Sequence, residues 1–345
     1  MVMTVNKSDE FFISIAKQGV HSFIFVGVKS KGEHHILARV GKVMDADVSC
    51  SVLRAAFFST KAFISYEEFS KQPGRKIPIG YAAYDITYEQ YLGFIALLEE
   101  LQARDNIAYP CFKPAEENGN EVNLQWTAQR TEVTHKIPLK PEAENIIKES
   151  HSLNLSSTCR HGALSLLDYV RGHEQTIHNV SSKFFRDLPL HTNLVADDGE
   201  KFPVRDPVTK RIRQHCYLRP DSKMPFYILP SPPSAFKDLE PLKKRVLTEL
   251  YMQMEDMLQV APESAETEQK FNLLKELYIE KVGKNNETIN DFIASLTSWR
   301  EDHKKDINSL RKTYFFDYFI TRHSATEKMF DRFDEYFTNP ASVKA

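Results

Sequence analysis

Residues 21–29, HSFIFVGVK, are largely apolar on both sides of an extended chain: His21, Phe23, Phe25 and Gly27 share one face, and Ser22, Ile24, Val26 and Val28 the other. A strand with two apolar faces must be covered twice, so it belongs inside a sheet and not on an exposed edge. Residues 34–41, HHILARVG, follow after Ser30, Lys31, Gly32 and Glu33, a short Gly-containing connection that reads as a β-hairpin. Such a hairpin needs a sizeable core, and 345 residues with 41% hydrophobic side chains supply enough for two domains.

The chain around the hairpin divides by pattern. Residues 51–66 fit either a strand or a helix, because Leu53, Phe57 and Phe58 also suit a helical stripe. Thr87 and Gln90 form a capping-box pair, and Tyr91, Phe94, Ile95, Leu98 and Leu101 continue as a helix to about Arg104. Pro110, Pro114 and the acidic run 115–121 make a loop, 122–134 supplies another strand, and a short polar helix covers 142–149 after Pro138 and Pro141. An Asp-, Pro- and Arg-rich loop spans 197–220, and Phe226, Tyr227, Ile228 and Leu229 read as a strand stopped by Pro230. The PSPP run that follows favours polyproline II and reads as a stiff linker ahead of the alternative, a ligand for a proline-recognition domain.

Beyond Ala235 the chain is rich in helix formers. Leu242, Val246, Leu250, Met254, Met257 and Leu258 make one stripe; Phe271, Leu274, Leu277 and Tyr278 a second; Ile289, Phe292, Ile293, Leu296 and Trp299 a third. Ile307, Leu310, Tyr314, Phe315 and Tyr318 make a fourth, and a last helix is capped by Ser324 with Glu327 and carries Phe330, Phe333 and Phe337. The expected fold class is α+β, with an N-terminal antiparallel sheet and helices over 1–233 and an all-α helical bundle or extension over 234–345.

Charge and motif content exclude several functions. Lys+Arg 45 against Asp+Glu 47 leaves a formal charge of -2, which provides no basic field for nucleic acid or an anionic membrane. Lys7, Asp9 and Glu10 interrupt any signal-peptide core, and no run of about 18 apolar residues occurs, so cytosolic synthesis without a transmembrane segment is expected. Cys50, Cys111, Cys159 and Cys216 are far apart and form no CxxC pair, which argues against a zinc ribbon or a disulfide framework. Glu33 and His34 stand where a P-loop needs Lys and Ser/Thr, and Ser165 stands where a cysteine phosphatase needs its Arg. His173-Glu174 to His178 is one residue too long for an HExxH pair, so no metal and no cofactor is expected.

What remains is a thiol. In residues 153–172, LNLSSTCRHGALSLLDYVRG, the caps Ser156, Ser157 and Thr158 deliver Cys159 to the first turn of a helix whose apolar stripe is Ala163, Leu164, Leu166, Leu167 and Val170. Gly172 suits a left-handed C-cap. Free N–H groups, the positive end of the helix and Arg160 all favour thiolate there, although a lone Cys opening a helix is also a common small buried hydrophobe. A nucleophilic thiolate needs an imidazole and a group to orient it. His21 opens a buried strand and serves as the base, with His34 or His35 on the neighbouring strand as the orienting group; a solvated hairpin-end histidine fits the same position.

HSFIFV at 21–26, His34/His35 on the next strand, and TCRHGAL at 158–164 resemble the circularly permuted papain-like families, among them the lecithin retinol acyltransferase group and the PPPDE peptidases. In those a strand His comes first and an NCEHF-like helix start brings the Cys later. The resemblance implies a papain-like sheet, Cys159 as nucleophile, His21 as base, His34 or His35 as the orienting residue, and His161 at the motif's second His. Thr158 replaces the usual Asn, and the segment between His21 and Cys159 is longer than in compact members. The chain as a whole, with FYILPSPP followed by amphipathic helices, is similar to effectors that Legionella-type bacteria inject through the type IV system. That similarity implies synthesis in the bacterial cytoplasm, action in the host cell and a host protein or lipid as target.

These readings converge on a cysteine-dependent acyl-transfer enzyme, of peptidase, isopeptidase or deamidase type, acting on a host protein with peptide or ubiquitin-like conjugates first among substrates. A non-catalytic effector that binds a host protein through its helical domain is the alternative. A third reading attaches the protein to a membrane surface through Lys243, Lys244 and Arg245, three basic residues on one helical turn.

Overall fold

The computed structural model describes residues 2–44, 59–67, 76–105, 107–129, 137–154, 157–172, 188, 190–196, 204–205, 212–213, 216–219, 224–284, 286–309 and 324–338. Cys50, His173, His178 and the 310–318 part of the fourth helical stripe lie outside them. The chain forms two compact units, Met1–Asp221 and Ser222–Ala345. The first is mixed α and β with antiparallel strands, and the described part of the second is helical.

In the first unit β1 (Val2–Asn6) joins a three-stranded sheet with β7 (Cys111–Asn118) and β8 (Glu121–Thr127). The larger sheet is built from β2 (Glu10–Gln18), β3 (His21–Ser30), β4 (Glu33–Met44), β5 (Thr60–Tyr66) and β6 (Lys76–Ile86), with β9 (Ser152–Leu153), β10 (Leu190–Ala196) and β13 (Cys216–Arg219). Its order is β13-β10-β6-β2-β3-β4-β5-β9, and β13 also pairs with β4 through Tyr217 and His35. The sheet therefore curls until β4, β3, β2, β6, β10 and β13 form a ring. A ring has an inside and an outside, which is the physical reason β3 is apolar on both faces. Phe12, Phe23 and Phe25 are buried on one face, and Ile13, Ile15, Ile24 and Val26 on the other.

The expected β3–β4 hairpin is present, and its loop is only Lys31 and Gly32, both with positive φ, 52° and 80°. That pair matches a two-residue primed turn, for which a glycine at the second position removes the steric cost. The 60–66 part of the ambiguous run is a strand, β5, in which Ala62, Ile64 and Tyr66 alternate inward and pair with β4, while Leu53, Phe57 and Phe58 lie outside the described residues. The 197–220 segment, expected as a loop, contributes β11 (Val204–Arg205), β12 (Ile212–Arg213) and β13. Short strands of mixed polarity carry no strong alternation, yet β13 is what closes the ring.

Helix α1 (Tyr88–Asp105) starts at the Thr87/Gln90 box: Gln90 N–H donates to Thr87 Oγ1 at 3.2 Å, and Thr87 N–H to Gln90 Oε1 at 2.7 Å. Its Tyr88 and Tyr91 pack on Phe11, with ring centroids 5.5 Å and 5.4 Å away. Helices α2 (Ala143–Ser150) and α3 (Cys159–Arg171) flank β9. Gln90 donates to the Arg171 carbonyl at 3.0 Å, which joins α1 to the end of α3.

In the second unit Tyr227, Ile228 and Leu229 are buried, but they form no strand. The Tyr227 ring meets Phe271 edge-on at 4.9 Å and its hydroxyl donates to the Pro262 carbonyl at 2.6 Å. Tyr278 donates to the Ser231 carbonyl at 2.7 Å. The PSPP run, followed by a 3-10 turn at Pro233–Ala235, is thus bolted to the helices and is no free linker. Helices α4 (Pro241–Gln259) and α5 (Ala265–Gly283) bury their expected stripes in full, α6 (Ile289–Asp302) buries only Phe292 and Leu296 of its stripe, and α7 (Lys304–Asn308) and α8 (Ala325–Thr338) bury Ile307, Phe330 and Phe333, with Ser264, Thr288 and Ser324 accepting cap bonds from Thr267, Asp291 and Glu327 N–H. Lys243 is only 4% exposed and donates to the Glu287 carbonyl, and the Arg245 guanidinium lies 4.0 Å from the Tyr336 ring centre. Two of the three basic residues read as membrane-facing are spent on packing within the unit. No described helix is long and apolar enough to cross a membrane.

Candidate active site

The site forms where the start of β3 meets the start of α3. The turn between β2 and β3 is Gly19 and Val20, with Gly19 at φ 58°, a conformation that costs glycine little. This turn fixes His21 as the first residue of β3 and presents the Val20 carbonyl beside it. Thr158 caps α3: its hydroxyl accepts from His161 N–H at 3.4 Å, while Thr158 N–H donates to His161 Nδ1 at 3.3 Å. His161 therefore takes the place that Glu or Gln fills in an ordinary capping box. Gly172 closes the helix in the left-handed region at φ 79°.

Cys159 is the first residue of α3 and lies against His21. The sulfur is hydrogen-bonded by the His21 imidazole and by the backbone N–H groups of Ser22 and Arg160, and it sits 4.0 Å from the Val20 carbonyl oxygen. Burial pushes the thiol up, but those three donors and the imidazolium charge outweigh it and hold Cys159 below an ordinary thiol. Burial likewise pushes the imidazole down. Hydrogen bonds to the Cys159 sulfur and the Glu67 carboxylate, with both negative charges, reverse this and raise His21 to about 10. Each group thus favours the charged form of the other, thiolate beside imidazolium.

The orienting group is Glu67, which follows β5 directly. Its Oε1 lies 2.7 Å from His21 Nε2, so Nδ1 is the ring nitrogen left to face the thiol. The Glu67 side chain is 9% exposed and that of His21 31%, so the carboxylate is shielded while the imidazole stays partly open to solvent. Glu67 N–H donates to the Arg39 carbonyl at 3.4 Å. Arg39 in turn donates to the Tyr66 hydroxyl at 2.7 Å, which pins the end of β5. Space for the pair comes from Gly41: a Cβ there would stand 1.9 Å from Glu67 Oε1 and 3.0 Å from His21 Nε2.

His34 and His35, expected to orient His21, are not at this site. His35 pairs with Val28, seven residues along β3 from His21, roughly 23 Å away at ~3.3 Å per residue. His34 packs against Phe12, with ring centroids 6.1 Å apart, and His35 Nε2 is 3.9 Å from Glu33. Because β4 runs antiparallel to β3, the residues nearest its own start lie at the far end of the hairpin, and it is Gly41 that pairs beside His21, with Phe23. Glu67 carried one readable signal, an acidic residue directly after a strand whose Ala62, Ile64 and Tyr66 alternate with the other face.

Among the described residues no group of three or more His, Cys, Asp or Glu is placed to hold a metal. Cys111 is a buried free thiol, pushed up to about 11 by burial, and is chemically quiet. The chain matches no known protein family, no curated protein and no solved structure.

Proposed function

We propose that this protein is a cysteine-dependent acyl-transfer enzyme of permuted papain-like type, in which Cys159 attacks a carbonyl, His21 moves the proton and Glu67 orients the imidazole. The observation that carries the reading is the His21 ring held by Glu67 on one nitrogen and set against the Cys159 sulfur at a helix N-terminus. Attack by the thiolate forms the S–C bond and places negative charge on the carbonyl oxygen, which the N–H groups of the first turn of α3 stabilise. Collapse expels the leaving amine or alcohol as His21 delivers its proton. Water, giving a proton to the now neutral His21, then bonds to the acyl carbon; the C–S bond breaks, the acid leaves, and the thiolate and the protonated imidazole are regenerated.

Chain order supports the permuted arrangement, since His21 and Glu67 precede Cys159. The substrate class is amide, isopeptide or ester, with peptide or ubiquitin-like conjugates of a host cell first, and the helical unit is the element that recognises the target. The test is peptide-resolved iodoacetamide labelling below neutral pH. Cys159 is expected to react selectively, and His21→Ala to abolish that selectivity; uniform slow labelling of all four cysteines sinks the enzyme reading and leaves a non-catalytic binding protein.

A further inference from the structure

Lys42 follows Gly41 on β4, and consecutive strand residues face opposite sides of the sheet. Gly41 leaves room for His21 and Glu67, whereas Lys42 runs beneath α3. It is 2% exposed, and its ammonium spends all three protons: on the Glu149 carbonyl at 2.7 Å, the Ser157 carbonyl at 3.1 Å and the Ser157 hydroxyl at 2.7 Å. Ser157 stands two residues before Cys159. The stem of Lys42 supports the helix too, because a Cβ on Gly162 would lie 3.2 Å from Lys42 Cβ and 3.1 Å from its Cδ, so α3 rests on the lysine only where it has a glycine.

A buried ammonium is costly unless it is hydrogen-bonded and balanced by negative charge. The hydrogen bonds go to two carbonyls and a hydroxyl, and none goes to a carboxylate. The Glu149 carbonyl lies at the last turn of α2, where the negative end of that helix suits a cation. Burial pulls Lys42 below an ordinary lysine, and the negative charges of the Glu149 carboxylate and the Cys159 thiolate act against that pull.

We infer that Lys42 is a positioning residue for the nucleophile: it ties the segment leading into α3 to the strand that holds the base, and its buried charge favours the thiolate of Cys159. The inference rests on the enzymatic reading above and adds to it that one dipeptide, Gly41-Lys42, registers both halves of the site from opposite faces of β4. Lys42 touches no reacting atom.

The experiment compares the full chain with Lys42→Met and Ser157→Ala, reading thermal stability and the pH profile of iodoacetamide labelling at Cys159. Lys42→Met keeps the stem and removes the charge; labelling at pH 6 is expected to fall about tenfold, with the midpoint moving up about one pH unit. Ser157→Ala keeps the charge and removes one anchor; slower labelling with an unmoved midpoint is expected. Should Lys42→Met not fold, Ser157→Ala decides, and a wild-type labelling rate there overturns the assignment. A folded Lys42→Met with the wild-type profile also overturns it and leaves the enzyme reading intact. A wild-type Cys159 no more reactive than the other cysteines overturns both.

Discussion

Glu67 Oε1 lies 2.7 Å from His21 Nε2, and it reaches that nitrogen only because position 41 of the intervening strand has no side chain. The His21–Glu67 contact is therefore set by three strands at once: His21 begins β3, Gly41 lies in β4 and Glu67 directly follows β5. Each residue has a separable role, and so does each substitution.

Glu67→Gln keeps a hydrogen-bonding side chain and removes the negative charge that stabilises the imidazolium. The His21 pKa is expected to fall from about 10 and that of Cys159 to rise. Labelling of Cys159 at pH 6 should slow at least tenfold, one pKa unit being worth about that factor. An unchanged rate would show that Glu67 does not support the pair.

The pH dependence follows from the signs of the two shifts. Cys159 is depressed, so acid removes the thiolate only below the ordinary thiol range; His21 is raised, so the imidazolium persists until pH passes about 10. Thiolate absorbance, taken as the difference between the wild type and Cys159→Ala, should appear at lower pH than that of an ordinary thiol. Turnover, once a substrate is found, should have its alkaline limb near 10. A thiolate signal appearing only with the ordinary thiol midpoint near ~8.5 contradicts the ion pair.

Gly41→Ala places a methyl group on Glu67 Oε1 and near His21 Nε2. Overpacking of this kind costs about 1–3 kcal/mol, so the melting temperature should drop while the chain stays folded. Selective Cys159 labelling should be lost with it. His35→Ala, at the other end of the hairpin, should leave that labelling as it is. The two variants together separate Glu67 from the histidines as the orienting group.

Lys113 and Glu99 form a buried pair, 3.0 Å apart and 1% and 2% exposed, between β7 and α1. Lys113→Met alone leaves a buried carboxylate without its ammonium and should cost about 3–5 kcal/mol in chemical denaturation. Adding Glu99→Leu should recover most of that loss, because an apolar pair of similar volume removes the stranded charge. A double variant no more stable than the single one would place the cost in packing instead.

Local sequence was enough for the parts of the site that lie within one element. The cap at Thr158, Cys159 in the first turn, the apolar stripe of α3, the Gly172 terminus and the β3–β4 hairpin each follow from rules that act over a few residues. The two apolar faces of β3 also required a covered strand. What the pattern did not contain was how strands align over long separations. His34 and His35 were near His21 in sequence and chemically suitable, yet antiparallel pairing carried them to the far end of the hairpin. Glu67 is 46 residues from His21, and Lys42 is 115 from Ser157. Register across three strands and the seating of a helix on a lysine stem are set by the packed whole, because each depends on contacts that do not exist until the sheet has closed.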